Sequence, residues 1–245
     1  MFQQYSLTVS ALDVGQGQSI VLLSKGKAIV VDCGGFGHEN AGDIVADYLQ
    51  NIGINTVECL VLSHYHSDHT NGVEQLLNRM RVVRVAAPNI DEEDDLQKEI
   101  ISYVADERAE FYFVENIIEI AFGEAKVTLY PPAGSEGENE LCTSVLCTTD
   151  AFDLLITGDM GEESEELLLE RETLPDLEAL VVGHHGSKYS TGEMLLDKTT
   201  PEIALISVGK NSYGHPTPET LQRLQEREIT FYRTDEVGTI VLQVS

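Results

Sequence analysis

Basic residues are scarce in this chain of 245. Lys and Arg total 15 against 42 Asp and Glu, which leaves a formal net charge of −27. That shortage argues against simple electrostatic capture of nucleic acid, which draws on a basic face. It leaves phosphate substrates open, because bound divalent cations reverse the local field. Cysteine is also sparse. Cys33, Cys59, Cys142 and Cys147 form no CxxC pair. They are expected as buried thiols in a reducing compartment rather than as a disulfide framework. No run approaches the ~18 apolar residues of a membrane-spanning helix. The first residues, MFQQYSLTVSALDVG, lack the basic and apolar regions of a signal peptide. The chain is therefore expected to be soluble and cytoplasmic. Its two acidic runs, DEEDD (91–95) and GEESEELLLERE (161–172), read as solvated faces.

What is present is a regular alternation of short strands and helices. LTVSALDV (7–14), SIVLLS (19–24) and AIVVDCGG (28–35) are apolar runs broken by glycine turns, which predicts a β-meander. Apolar residues at 44, 45, 48, 49 and 52 predict a helix over 41–53. VECLVLS (57–63) reads as a buried strand, and NGVEQLLNRM (71–80) as the next helix. Strands are expected again at 82–88, 126–132, 141–148, 152–159, 177–187 and 202–209, with helices in 91–108 and 162–172. FYRTDEVGTIVLQV (231–244) is expected to close the chain as a hairpin. The pattern predicts an α/β protein, one domain over 1–245, with strands and interleaved helices in both halves.

The densest chemical signal is LVLSHYHSDHTNGV (60–73). His64, His66, Asp68 and His69 fall within six positions after an apolar run. A strand cannot hold all four on one face, because alternate side chains diverge. A strand end followed by a tight loop can: His64 and His66 point one way, and Asp68 and His69 turn toward a second point. Two such points suit two cations, and imidazole with carboxylate suits Zn²⁺, Mn²⁺ or Fe²⁺. A merely polar loop is the bland alternative, and leaving these groups buried and unpaired would cost roughly 1–3 kcal/mol each. Asp159 in LLITGDM, His184 and His185 in VVGHHGS, and His215 in YGHP also sit at predicted strand ends or the loops that leave them. Active sites of layered proteins are built from such loops. His38, in a glycine-rich loop, reads as surface.

These motifs resemble the metallo-β-lactamase superfamily: HYHSDH for H-x-H-x-D-H, then ITGD, then GHP. Within it the chain is most similar to the C-terminal soluble domain of ComEC-type DNA-uptake proteins of natural competence. LDVGQGQSIVL (12–22), IVVDCGG (29–35), VVGHHGSKYST (181–191), SYGHPTPETL (212–221) and YRTDEVGTIVL (232–242) extend that resemblance in order over nearly the whole chain. It implies a four-layer αββα sandwich with a dinuclear site at the sheet edges. His64 and His66 would bind the first metal, Asp68, His69 and His215 the second, and Asp159 would bridge them. Two divalent cations, Zn²⁺ or Mn²⁺, are the implied cofactors. Many members carry one further histidine between the first motif and the TGD aspartate. Here that region is GENELCTSVL, with Asn139 and Cys142 and no histidine, so the first site is expected to be short of a ligand. Gln18 stands where the family usually shows Asp.

The HHGS loop is assigned the remaining chemistry. Alternation along a strand allows only one of the two histidines to face the metals, and His184 is favoured over His185 as the proton donor to a leaving oxygen. Ser187 is expected to bond a phosphate oxygen, and Lys188 beside it is either an anion contact or a plain surface lysine. The expected function is metal-dependent hydrolysis, foremost of the phosphodiester of DNA. The alternatives are a hydrolase of small esters, amides or thioesters, and a metal-binding domain with little catalysis. The resemblance also implies a membrane-channel parent, which would place this soluble chain at the cell surface.

Overall fold

Side chains alternate between two apolar compartments along the inner strands. The computed structural model describes residues 5–90, 94–134 and 138–245. In β1 (Leu7–Ala11), β2 (Ile20–Ser24) and β3 (Lys27–Val31), residues Leu7, Val9, Ile20, Leu22, Ile29 and Val31 enter one core. Their neighbours Val21, Leu23, Ala28 and Val30 enter another. This period of two is what a sheet covered on both faces requires.

The first sheet continues through β4 (Thr56–Val61), β5 (Arg81–Val82), β6 (Arg84–Ala87) and β7 (Glu110–Phe113). The second comprises β8 (Ile118–Phe122), β9 (Ala125–Tyr130), β10 (Ser144–Thr148), β11 (Asp153–Ile156), β12 (Ala179–Val181), β13 (Ile203–Ile206) and β14 (Thr230–Arg233). The last strand, β15 (Ile240–Val244), returns to the first sheet and pairs antiparallel with β1. The strand orders are β15-β1-β2-β3-β4-β6-β7, with β5 beside β4, and β14-β13-β12-β11-β10-β9-β8. Each sheet is antiparallel at one end and parallel at the other: β3, β4, β6 and β7 run parallel, as do β11 to β14.

The core between the sheets joins Leu7, Ile20 and Val61 of one to Leu129, Val145, Leu154 and Val181 of the other. Outside the first sheet pack α1 (Ala41–Asn51), α3 (Val73–Arg79), which follows the short α2 (Ser67–Thr70), and α4 (Asp95–Asp106). Outside the second pack α5 (Glu162–Arg171), α6 (Glu193–Thr199) and α7 (Pro218–Glu226). The result is the expected αββα sandwich. Local chemistry explains the helix starts. Asn40 accepts from the Gly42 N–H, and Thr217 accepts from the Thr220 N–H just ahead of Pro218.

The closing hairpin expected over 231–244 does not form. β14 is an edge strand of the second sheet, and β15 lies in the first. The short α8 (Thr234–Val237) and Gly238, at φ 72°, carry the chain from one sheet to the other. Both strands therefore extend sheets that already exist instead of pairing with each other. Strands β7 and β8, from 110–122, add to the expected set. Residues 91–93 of the first acidic run and residues 135–137 lie outside the described residues.

Candidate metal centre

The parallel strands deliver the polar groups. Asp32 follows β3, Ser63 and His64 follow β4, Asp159 follows β11, His184 and His185 follow β12, and Ser207 follows β13. All leave the carboxyl ends of their strands, where layered folds place ligands. The glycine loops bring the first motif close. A Cβ on Gly34 would sit 2.4 Å from the His69 carbonyl carbon, and one on Gly17 would sit 2.5 Å from the Asp68 carbonyl oxygen. Only glycine allows these contacts, and the backbone bonds Cys33 N–H to His69 O (2.8 Å) and Gln18 N–H to Asp68 O (3.0 Å) fasten them.

Two groups of donor atoms result. His64, His66 and Asp159 form one; Asp68, His69, Asp159 and His185 form the other. Within each group the ligand-type atoms lie within 4.8 Å of one another. Asp159 belongs to both.

The imidazoles are oriented by their other nitrogens. His69 Nδ1 is 2.7 Å from Asp32 Oδ2, and His185 Nδ1 is 2.8 Å from the Ser207 carbonyl oxygen. Carboxylate and carbonyl oxygens only accept, so each Nδ1 carries a hydrogen. Ser63 Oγ donates to Asp32 Oδ2 (2.8 Å) and is therefore free to accept from His64 Nδ1 (3.0 Å). All three rings thus turn a bare Nε2 toward Asp159. His69 Nε2 lies 3.3 Å from His185 Nε2 and 3.0 Å from Asp159 Oδ1, and His185 Nε2 lies 3.3 Å from Asp68 Oδ2. Four electron-rich atoms converge without a donor between them. His64 Nε2 and Asp159 Oδ1 are buried and no hydrogen bond is aligned on either. A positive charge at this point, a second proton on His69 or a cation, reconciles them. The donor set fits divalent metal ions with nitrogen and oxygen preference.

The electrostatics say the same. Burial works against a charged His69, yet Asp159 and Asp32 hold its pKa well above the usual histidine value. Burial pushes His64 down to about 3, with help from neighbouring His69, so it is a neutral ligand-type ring. Burial also opposes ionisation of Asp68 and Asp159. The neighbouring His185 and His69 rings nevertheless hold Asp68 at about 2, and His69 and His185 hold Asp159 well below the carboxylate range.

The other expected residues are placed as follows. His184 and His185 both reach Asp159, at 3.4 Å from Oδ2 and 3.8 Å from Oδ1. Strand alternation does not apply to them, because both adopt left-handed backbone angles, φ 49° and 53°, in the turn after β12. Such strain concentrates at functional sites. His184 stays half-exposed over Asp159, whereas His185 is buried in the second donor group. His215 lines the same cleft, with its ring 5.4 Å from that of His184, but lies outside both groups. Where the resemblance implies His215 as the last ligand of the second metal, the second donor group here contains His185. β12 adjoins the Asp159 strand β11, whereas β13, which leads to His215, lies one strand further out. Ser187 is buried and does not line the cleft. Its Oγ accepts from the Tyr189 N–H (3.3 Å) and its carbonyl from the Thr220 hydroxyl (2.8 Å), so it shapes the turn. Lys188 is exposed, with Nζ 4.9 Å from the centre of the Tyr189 ring. Cys142 is buried behind the site, its thiol donating to Asn139 O (3.1 Å), and joins neither group.

Asp32 is the residue that sequence reasoning passed over. It is fully buried, at φ 59°, and accepts from Ser63 N–H, Ser63 Oγ, Gln18 Nε2 and His69 Nδ1. Its one signal was a charged residue straight after the apolar run AIVV. Gln18, the expected departure from the family, donates to Asp32 Oδ2 at 2.7 Å. A neutral amide can donate there, where an aspartate would have set a second carboxylate against the first.

Comparison with known proteins follows this geometry. The family model of the metallo-beta-lactamase superfamily matches residues 12–210. ComE operon protein 3 of Bacillus subtilis is 28% identical over 95% of this chain and 32% of its own length. Competence protein ComA of Neisseria gonorrhoeae is 27% identical over 95% of this chain and 31% of its own. The chain thus spans about a third of the length of these curated relatives. Among solved structures, the metallo-beta-lactamase fold protein YhfI of Bacillus subtilis superposes with a TM-score of 0.64 at 11% identity, covering 97% of this chain and 99% of that one.

Proposed function

This chain belongs to the metallo-β-lactamase superfamily, and we propose that it is a metal-dependent phosphodiesterase acting on DNA. The observation that carries the reading is the pair of donor groups sharing Asp159. Two divalent cations, zinc or manganese, would lower the pKa of a shared water and neutralise charge on the attacked phosphorus. In this reading His64, His66 and Asp159 hold one cation, and Asp68, His69, His185 and Asp159 hold the other. Asp32, Ser63 and the Ser207 carbonyl fix the rings from behind, a role that bears on metal affinity as much as the ligands do. His184, half-exposed at 3.4 Å from Asp159, is placed to hand a proton to the departing oxygen of the cleaved ester. His215 faces His184 across the cleft and orients it or the substrate.

The DNA part of the reading leans on the relatives named for competence and on the motif order given above. Because those relatives are about three times longer, a role as the soluble part of a membrane-channel parent at the cell surface is part of the proposal. No helix among the described residues is long and apolar enough to cross a membrane. The net charge of −27 favours a second reading, hydrolysis of a small neutral ester, amide or thioester. Hydrolysis of bis-p-nitrophenyl phosphate and of DNA with added Mn²⁺ or Zn²⁺, lost in Asp159→Ala, supports the first. Cleavage of nitrocefin or a thioester alone supports the second, and metal binding without any cleavage removes both.

A further inference from the structure

The cleft over the metal centre, about 460 Å³, has three exposed apolar side chains in its wall: Phe36, Leu96 and Tyr213. Phe36 is 60% exposed and Tyr213 is 74% exposed. Neither is loosely held. The Phe36 N–H donates to Gln16 O (2.8 Å) in a turn flanked by Gly35 and Gly37. The N–H groups of Tyr213, Gly214 and His215 all donate to Asn211 Oδ1, at 3.1, 2.9 and 3.1 Å. The Asn211 amide in turn donates to Gly209 O and His215 O. Two aromatic rings are therefore presented to solvent on fixed backbone, beside the candidate catalytic groups. Scattered exposed rings need no explanation, but rings that share the wall of a functional cleft mark a contact surface.

Phe36 also lines a neighbouring cavity of about 630 Å³, whose ionisable groups are Asp13, His38, Glu39, Lys210 and Asp235. Lys210 is the one Lys or Arg among the described residues lining either cavity. A polyanion approaching a protein of charge −27 finds little help from phosphate contacts here. Base faces carry no charge, stack on aromatic rings, and are accessible in an unpaired strand.

Building on the phosphodiesterase reading, we propose that Phe36 and Tyr213 grip the bases flanking the scissile phosphodiester of a single nucleic-acid strand. The strand then continues past Phe36 into the cavity that holds Lys210. The domain holds its substrate by stacking, and the metals and Lys210 supply its few phosphate contacts.

The test is equilibrium binding of the full chain, in Mn²⁺, to a fluorescent phosphorothioate oligodeoxynucleotide that resists cleavage, as single strand and as duplex. The expected result is a single-strand preference of about tenfold or more. Phe36→Ala and Tyr213→Ala each weaken single-strand binding by roughly 5- to 150-fold, as loss of one stacking contact does. Phe36→Tyr and Tyr213→Phe retain it. Affinity changes less than about threefold between about 50 and 200 mM salt, against the steep loss of a phosphate-led complex. Both rings are exposed, so thermal melting of the alanine variants matches that of the parent, and a lowered melting point identifies a folding defect in place of lost stacking. Equal binding of strand and duplex, unaltered binding by the alanine variants, steep salt dependence or no strand binding by the parent each overturns the proposal. Failure of the parent to hydrolyse bis-p-nitrophenyl phosphate instead removes the catalytic reading, which this binding measurement does not touch.

Discussion

His69 Nε2 and His185 Nε2 face each other at 3.3 Å, while the second nitrogen of each ring is engaged by Asp32 Oδ2 and by the Ser207 carbonyl. The two bare nitrogens come from loops 116 positions apart in sequence. Two lone pairs do not hold each other, so this point wants positive charge. Divalent cations are expected to stabilise the fold strongly. At a hundredfold excess over its dissociation constant, one bound cation adds about 2.7 kcal/mol. Thermal melting in EDTA and in Mn²⁺ or Zn²⁺ measures this. A melting temperature unmoved by metal would speak against the site.

Asp32→Asn isolates the anchoring of His69. Asparagine tolerates the left-handed backbone that Asp32 adopts, at φ 59°, so strain is not the confounder. The variant removes a charged acceptor from His69 Nδ1 and Ser63. Metal affinity or hydrolysis is expected to fall about 10- to 100-fold, as for other residues that orient ligands. Titration of Mn²⁺ into the variant checks it; affinity equal to the parent's would show that Asp32 only fills space.

His185→Ala and His215→Ala separate the structural assignment from the one implied by resemblance. His185→Ala is expected to lose one equivalent of bound metal, because the second donor group loses its buried imidazole. His215→Ala is expected to keep both equivalents and to lose hydrolysis rate. Elemental analysis of the two purified variants decides, and the opposite outcome would restore His215 as a ligand.

Glu165 gives a pH-dependent prediction away from the metal site. It is buried and accepts from the Thr191 and Gly192 N–H groups, at 2.6 and 2.8 Å, at the start of α6. Burial outweighs those bonds and pushes its pKa up to about 7, from 4.5 in the free side chain. The folded state therefore binds this proton more tightly than the unfolded chain. The resulting stability is fully present below about pH 4.5 and lost as pH rises through about 7. The change amounts to roughly 3 kcal/mol. Glu165→Gln does not titrate, so the stability of the parent relative to this variant should fall by that amount between about pH 4.5 and 8. Urea melts of both proteins across that range test it; a constant difference would contradict it.

The sequence revealed much of this because the signals were local. The short apolar runs of LTVSALDV, SIVLLS and AIVVDCGG, broken by glycine, announce strands. His64, His66, Asp68 and His69 crowd into one loop, so their clustering needs no tertiary information. Asp32 was invisible for the opposite reason: its partners Ser63 and His69 lie 31 and 37 positions away, and a lone aspartate ending a strand has many uses. Strand alternation, the ground for choosing between His184 and His185, does not hold here. Alternation presumes extended backbone, and two successive left-handed residues turn both rings inward. The closing strands were legible as strands, but nothing in TDEVG says that the chain there crosses from one sheet to the other.

The sharing of Asp159 between two groups of ligands is the claim on which the rest depends. Its most direct test is the metal content of the protein after saturation with Zn²⁺ or Mn²⁺ and removal of free ion, with Asp159→Ala measured alongside. The account predicts about two ions per chain in the parent and loss of tight binding at both positions in the variant. One ion per chain in the parent, or a variant that still holds two, would contradict it.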